Sequence, residues 1–198
     1  LALVVHPSFE AKTVKEFLNY VRANPGKLNY ASPGNGSPHH LAMEMFKHRT
    51  KSFITHIPYR GAAPALQDVM GGQVPCMFLD LAAGLPVITS GKVRALAIGS
   101  AKRVAALPDV PTLAEAGVPN TEVFAFQGIL APAGLPAAIT ARLNGDLNKA
   151  LLNPAVVKRM NDFGMEALPG TPEQFRAMAR AESKRWGEII KAAGVKLD

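Results

Sequence analysis

The sequence predicts an α/β fold in which a parallel or mixed sheet is covered by helices. Two observations carry this reading. Over roughly the first hundred residues, strand-sized apolar runs alternate with helical stripes across short, Gly- or Pro-containing connections; after about residue 120 the pattern is mostly helical. That shift predicts two lobes.

The elements follow in order. Leu1–His6 reads as a buried strand ended by Pro7, and it has neither the basic segment nor the cleavage site of a signal peptide. Thr13 and Glu16 form a capping box before the stripe Val14, Phe17, Leu18 and Val21, and Asn24-Pro25-Gly26 stops that helix. Lys27–Ala31 is a short strand, followed by the loop Ser32-Pro33-Gly34-Asn35-Gly36-Ser37 and a helix over Pro38–Arg49. Phe53–Ile57 alternates as a strand, Pro58–Gly61 is a loop, and Ala62–Met70 is a helix closed by Gly71-Gly72. Gln73–Leu79 is a strand, Ala82–Thr89 a helix and Val93–Ile98 a strand. A short helix is capped at Thr112 and Glu115, and Thr121–Ala131 reads as a long apolar strand. Helices then run over Pro136–Leu152, from Pro154, and over Pro172–Ala193, the last with Thr171 as N-cap and Gln174 completing a capping box.

Composition excludes several classes. With 198 residues, 48% hydrophobic and 19% charged, the chain can bury a core and is not a disordered type. No run reaches the ~18 apolar residues of a membrane helix. A single cysteine, Cys76, excludes an internal disulfide framework and a Cys-based zinc ribbon; in its apolar strand it reads as an inert core thiol. The net charge is +7, but Lys and Arg are scattered singly with acids between them, which argues against nucleic acid.

In such sheets ligands sit in the loops after the carboxyl ends of strands. Three loops qualify: Ser32–Ser37, Pro58–Gly61 and Asp80–Gly84. In the first, Gly34 and Gly36 allow close backbone approach, and a helix start follows at once. Ser32, Asn35 and Ser37 add donors, and the loop N–H groups are expected to face an open cleft as an anion site. The plainer reading is a Gly-rich turn with Ser37 as N-cap. No Lys follows Gly36, so this is not a Walker A loop. His40 reads as a residue near this loop or as a surface histidine. His39 points to a different helix face, and His40 with Glu44 lacks a third metal ligand. Tyr59 and Arg60 are candidates for ligand contact or members of a solvated turn. Asp80 could hold a polar ligand group or cap the next helix. No acid/base pair or nucleophile is set by spacing.

The stretches Tyr30–Leu41, Ile57–Leu66, Gly71–Val74, Gly91–Ala97, Leu107–Gly117, Ala131–Pro136, Trp186-Gly187 and Ile190–Asp198 together resemble the Bug family, the extracytoplasmic solute receptors of tripartite tricarboxylate transporters. The resemblance covers the whole chain. It implies a type II periplasmic binding protein fold, two α/β lobes around a cleft. The second lobe would be complete over residues 5–124, and the first partial, from residues 1–4 and 125–198. Leu1–Val5 and Thr121–Ala131 would be the crossover strands. Relatives carry a further stretch ahead of Leu1, so the chain reads as an N-terminally truncated fragment whose helices after Pro136 leave apolar stripes open. The resemblance further implies a periplasmic receptor that captures a small carboxylate or amino-acid-like solute for membrane transporter subunits. It implies no catalysis; no cofactor is expected, no metal because His40 and Glu44 lack a third ligand, and no nucleic acid because the basic residues are scattered. Ser32, Gly34, Asn35, Gly36 and Ser37 match the loop that holds a ligand carboxylate. Tyr59, Arg60 and Gly61 lie beside it, and His40 and Asp80 complete the expected ligand set. The competing readings are an α/β enzyme, or a regulator's effector domain, taking an anionic or phosphorylated ligand on the same loop.

Overall fold

A computed structural model describes residues 1–123 and 126–195. Its centre is one five-stranded sheet built from β1 (Ala2–Val5), β2 (Asn29–Ser32), β3 (Thr55–Pro58), β4 (Cys76–Leu79) and β5 (Arg94–Ile98), in the order β3-β2-β4-β1-β5. The sheet is mixed. β2 runs parallel to β3 and β4, whereas β1 is antiparallel to both β4 and β5.

Every residue of β1 and β4 is buried, so these strands read as unbroken apolar runs, as strands covered on both faces do. Their side chains alternate between two cores. Leu3, Val5, Tyr30, Cys76 and Phe78 point into one, with α1 (Val14–Ala23) and α2 (Pro38–Thr50). Ala2, Val4, Ala31, Met77 and Leu79 point into the other, with α3 (Ala62–Met70) and α4 (Leu81–Thr89).

The helix starts follow their local chemistry. The Glu16 amide donates to Thr13 Oγ1, and the Glu16 carboxylate accepts from the Lys12 amide, which shifts the return contact one residue ahead of the cap. α2 begins with Ser37 as N-cap and Pro38 at its first position, carries Lys47, His48 and Arg49 in its last turn, and ends at left-handed Lys51. The stretch at Thr112 closes both capping-box bonds but makes only a turn, with Thr112 bridging to Ile98.

The expected strand over Thr121–Ala131 is corrected. Of its described part, residues 121–123 and 126–131, none is in a strand; residues 124 and 125, where the lobe boundary is expected, lie outside the described residues. A strand needs a ladder partner. Val123 obtains a single amide bond to the Gly99 carbonyl, while Ile129 and Leu130 stand 73% and 80% exposed.

Residues 126–195 contribute α5 (Ala137–Leu151), α6 (Pro154–Asp162) and α7 (Pro172–Ala193). None of the three has a buried residue, and Ile139, Leu143 and Leu152 are exposed. Trp186 and Ile189 of α7 pack on the first core, and Arg185 donates to the Glu122 carbonyl at 2.7 Å.

Candidate functional site

The parallel strands end on one edge of the sheet, which therefore gathers Ser32, Pro58 and Asp80 at neighbouring positions. The Ser32–Ser37 loop follows β2 directly and feeds α2. Gly34 (φ +143°) and Gly36 (φ +71°) take backbone conformations that L-side chains rarely adopt. The second loop is laced to the first, because the Tyr59 amide donates to the Ser32 carbonyl and the Gly61 amide to the Pro33 carbonyl. A Cβ on Gly34 would lie 3.4 Å from the Tyr59 carbonyl oxygen, so the two loops meet with little space between them. Tyr59 is half-buried and donates its hydroxyl to Asp68; burial, with that hydrogen bond, pushes its phenol up to about 12, and Arg60 is exposed on the same loop.

The loop amides differ from expectation. The Gly34 amide goes to Ser32 Oγ, the Gly36 amide to His40 Nδ1 and the Ser37 amide to the Gly34 carbonyl. The loop is braced from within, by side chains as much as by backbone. Ser37 Oγ accepts the His40 amide, so one oxygen lone pair caps α2 and the hydroxyl proton remains to be donated. Ser37→Ala is expected to cost about 1 kcal/mol of stability through loss of the cap. A thermal melt of the variant against the parent chain measures it.

Beneath the loop lies a polar cluster. His40 is buried, not a surface histidine, and its ring stacks on His56 with centroids 3.9 Å apart. His56 stacks in turn on Tyr30, its register partner across the parallel pair β2–β3. His56 Nε2 shares a hydrogen bond with Ser32 Oγ. Tyr30 donates to Glu44 Oε1, which also accepts Lys47 Nζ and lies 3.7 Å from His40 Nε2. Burial lowers His40, and burial together with the charge of His40 lowers His56 to about 4, so both rings are neutral at pH 7.

His39, one residue away on α2, faces another way. Its Nε2 is 3.0 Å from Asp80 Oδ2, and that ring holds the Asp80 carboxyl below the usual carboxylate range. The ring N–H is off the ideal line for a hydrogen bond, but it is the polar group set against that carboxylate. Asp80 occupies the N-cap position of α4 without its side chain capping it, and its carboxylate is half-exposed. Capping is therefore not what occupies Asp80. Cys76 is fully buried, and burial pushes its thiol up.

The structure thus brings together Ser32, Gly34, Asn35, Gly36, Ser37 and His40 on one loop and helix start, sets Tyr59 and Gly61 against them, and reaches Asp80 through His39. His56 is the residue that sequence reasoning missed. Its signal exists only in the β2–β3 register, which sets it beside Tyr30. Two surface depressions, of about 360 and 420 Å³, lie elsewhere. The first is lined by His6, Ser8 and Gly72, and His6 follows β1 at the opposite edge of the sheet. Neither combines a helix start with convergent donors, so chemistry and not volume locates the site. Among the described residues, no three His, Cys, Asp or Glu side chains converge as metal ligands.

A helix-covered mixed sheet with an antiparallel β1 and a Gly-rich loop at the shared strand edge defines a lobe of a type II periplasmic binding protein. The chain belongs to the tripartite tricarboxylate transporter family receptors, TctC, matched over residues 1–195. It is 36% identical over 197 residues to protein BugT of Bordetella pertussis, covering 100% of this chain and 60% of that one. It is 37% identical over 189 residues to the UPF0065 protein in the tcbD-tcbE intergenic region of a Pseudomonas species, covering 95% of this chain. The chain spans 56% of that relative's length. Among solved structures, R. palustris Rpa4515 with adipate superposes with a TM-score of 0.90 at 34% identity, covering 98% of this chain and 65% of that one. MatC from Rhodopseudomonas palustris with bound malate gives 0.81 at 34% identity, covering 96% and 65%. The family is one of receptors, not of enzymes.

Proposed function

We propose that this protein is part of a periplasmic receptor that captures a small carboxylate-type solute and presents it to the membrane subunits of a tripartite tricarboxylate-type transporter. The observation that carries the reading is the braced loop at the start of α2. A ligand carboxylate meets the positive end of a 13-residue helix. The Ser37 hydroxyl donates to it, and the two glycines leave the backbone bare for close approach. Bracing lowers the ordering cost of binding, because the loop is already held in shape. Asp80 supplies an acceptor beside the site, which suits a ligand that carries an ammonium or hydroxyl group as well as its carboxylate. The relatives solved with adipate and malate agree with the carboxylate part. Among the described residues no helix is long and apolar enough to cross a membrane.

The test is an NMR titration of the chain with adipate, malate, aspartate and citrate. The Gly34, Asn35 and Gly36 amide signals are expected to move in a saturable way with at least one of the four. Aspartate or malate should move them at lower concentration than adipate if Asp80 acts as described. If none of the four carboxylates shifts these amides at millimolar concentration, the reading fails.

A further inference from the structure

We propose that His40 and His56 are positioning residues of the site, which as neutral imidazoles hold the Ser32–Ser37 loop in its receiving shape. The role rests on the proposed carboxylate function of that loop, but the geometry behind it does not. The Gly36 amide donates to His40 Nδ1 at 3.0 Å, so that nitrogen must carry a lone pair and no proton. His40 Nε2 then carries the proton and turns it toward Glu44 Oε1, 3.7 Å away. On the other side of the stack, His56 Nε2 bonds Ser32 Oγ, and the same oxygen receives the Gly34 amide. Each glycine of the loop is thus tied to one of the two rings, Gly36 directly and Gly34 through Ser32.

The two ties respond differently to a proton. A protonated His56 still has a partner, because the Ser32 hydroxyl can turn its proton to the Gly34 carbonyl, 3.1 Å away, and accept from the ring. A protonated His40 has none at Nδ1, where two N–H groups would face each other, so Gly36 must leave. The groups facing the pair are Tyr30 from β2, Glu44 and Lys47 from α2, and each ring itself toward the other. Lys47 opposes a second positive charge and Glu44 favours one; burial outweighs both and keeps the rings neutral. Since both folded-state values lie below the ordinary value of about 6.5, the unfolded chain binds these protons first. Stability from this cluster is therefore full above about pH 6.5 and is lost as the pH falls toward 4.

The test needs no ligand, so it stands apart from the carboxylate titration. The Gly34 and Gly36 amide signals are followed from pH 8 to pH 4 in the parent chain, in His40→Asn and in His56→Gln, with the imidazole carbon protons read in parallel. Asparagine places an acceptor near the Nδ1 position and glutamine places polar atoms near the Nε2 position, and neither titrates. In the parent chain, Gly36 is expected to shift with the midpoint of His40, below 6.5. In His40→Asn it should keep its pH 8 position down to pH 4, whereas His40→Ala should displace it at every pH. Overturning results are a Gly36 signal that ignores the His40 titration, or one that moves identically in His40→Asn. A chain that binds no carboxylate yet shows the coupled titration would sink the receptor reading and leave the bracing intact.

Discussion

Phe46→Ala is expected to lower the unfolding free energy by about 3–5 kcal/mol and the melting midpoint by ~10 °C. Phe46 is wholly buried in the middle of α2. Its ring meets Phe17 of α1 at 6.1 Å and Phe78 of β4 at 6.3 Å, both edge-on, so it joins two helices to the sheet. Removing it leaves a cavity faced by the Phe17 and Phe78 rings, which belong to two different elements and cannot close in together without shifting α2. The consequence for the site is direct, since the first turn of α2 holds Ser37, His39 and His40. A denaturant titration checks the loss, and the Gly36 amide signal reports whether the loop loosens before the whole chain unfolds. A loss below about 1 kcal/mol would mean that the first core is plastic at this point.

What the sequence disclosed and what it hid separate along one physical line. Elements whose causes are local were legible. α3 and α7 match their expected spans residue for residue, since Gly71 stops the first and Thr171 with Gln174 starts the second. The Gly-rich loop was legible for the same reason: its glycines adopt positive φ and Ser37 caps α2. Features set by distant partners were not. Thr121–Ala131 is apolar enough for a strand, but strand formation depends on a neighbour, and the described residues beyond Val123 have no ladder. The loop amides looked free because their acceptors, Ser32 Oγ and His40 Nδ1, are reached only when the loop folds back on itself. His56 was hidden by its strand pattern, in which a polar residue at alternate positions needs no special role. Its contact with Ser32 spans 24 positions, and no local spacing encodes that. The order of the strands shows the same limit. Strand–helix alternation foretells a covered sheet, but not that β1 lies antiparallel between β4 and β5, which depends on partners more than 70 residues away in the chain.

Gly99→Val is expected to cost about 3 kcal/mol or somewhat more, at the upper end for overpacking a buried position. Gly99 follows β5 at the place where the segment ending in Val123 runs beside the first residue of β1's lead-in. Its amide donates to the Leu1 carbonyl and its carbonyl accepts the Val123 amide, each at 2.7 Å. A Cβ here would lie 2.8 Å from the Val123 carbonyl oxygen and 3.2 Å from that of Leu1. Both obstacles are backbone atoms, so no rotamer change relieves the contact and the two segments must part. The gain from restricting the unfolded chain when glycine is replaced is only about 0.4–1 kcal/mol, too small to offset the clash. Gly99→Ala should show the same sign at roughly half the size, because one methyl already makes the contact. The substitution thus loosens the contact among Leu1, Gly99 and Val123 while the loop at β2 keeps its own bonds. Hydrogen exchange should therefore rise at Val123 and Gly99 and stay low at Gly36. An alanine variant as stable as the parent would show that the crossing has room to spare, and unchanged exchange at Val123 would remove Gly99 from any role in holding the two segments together.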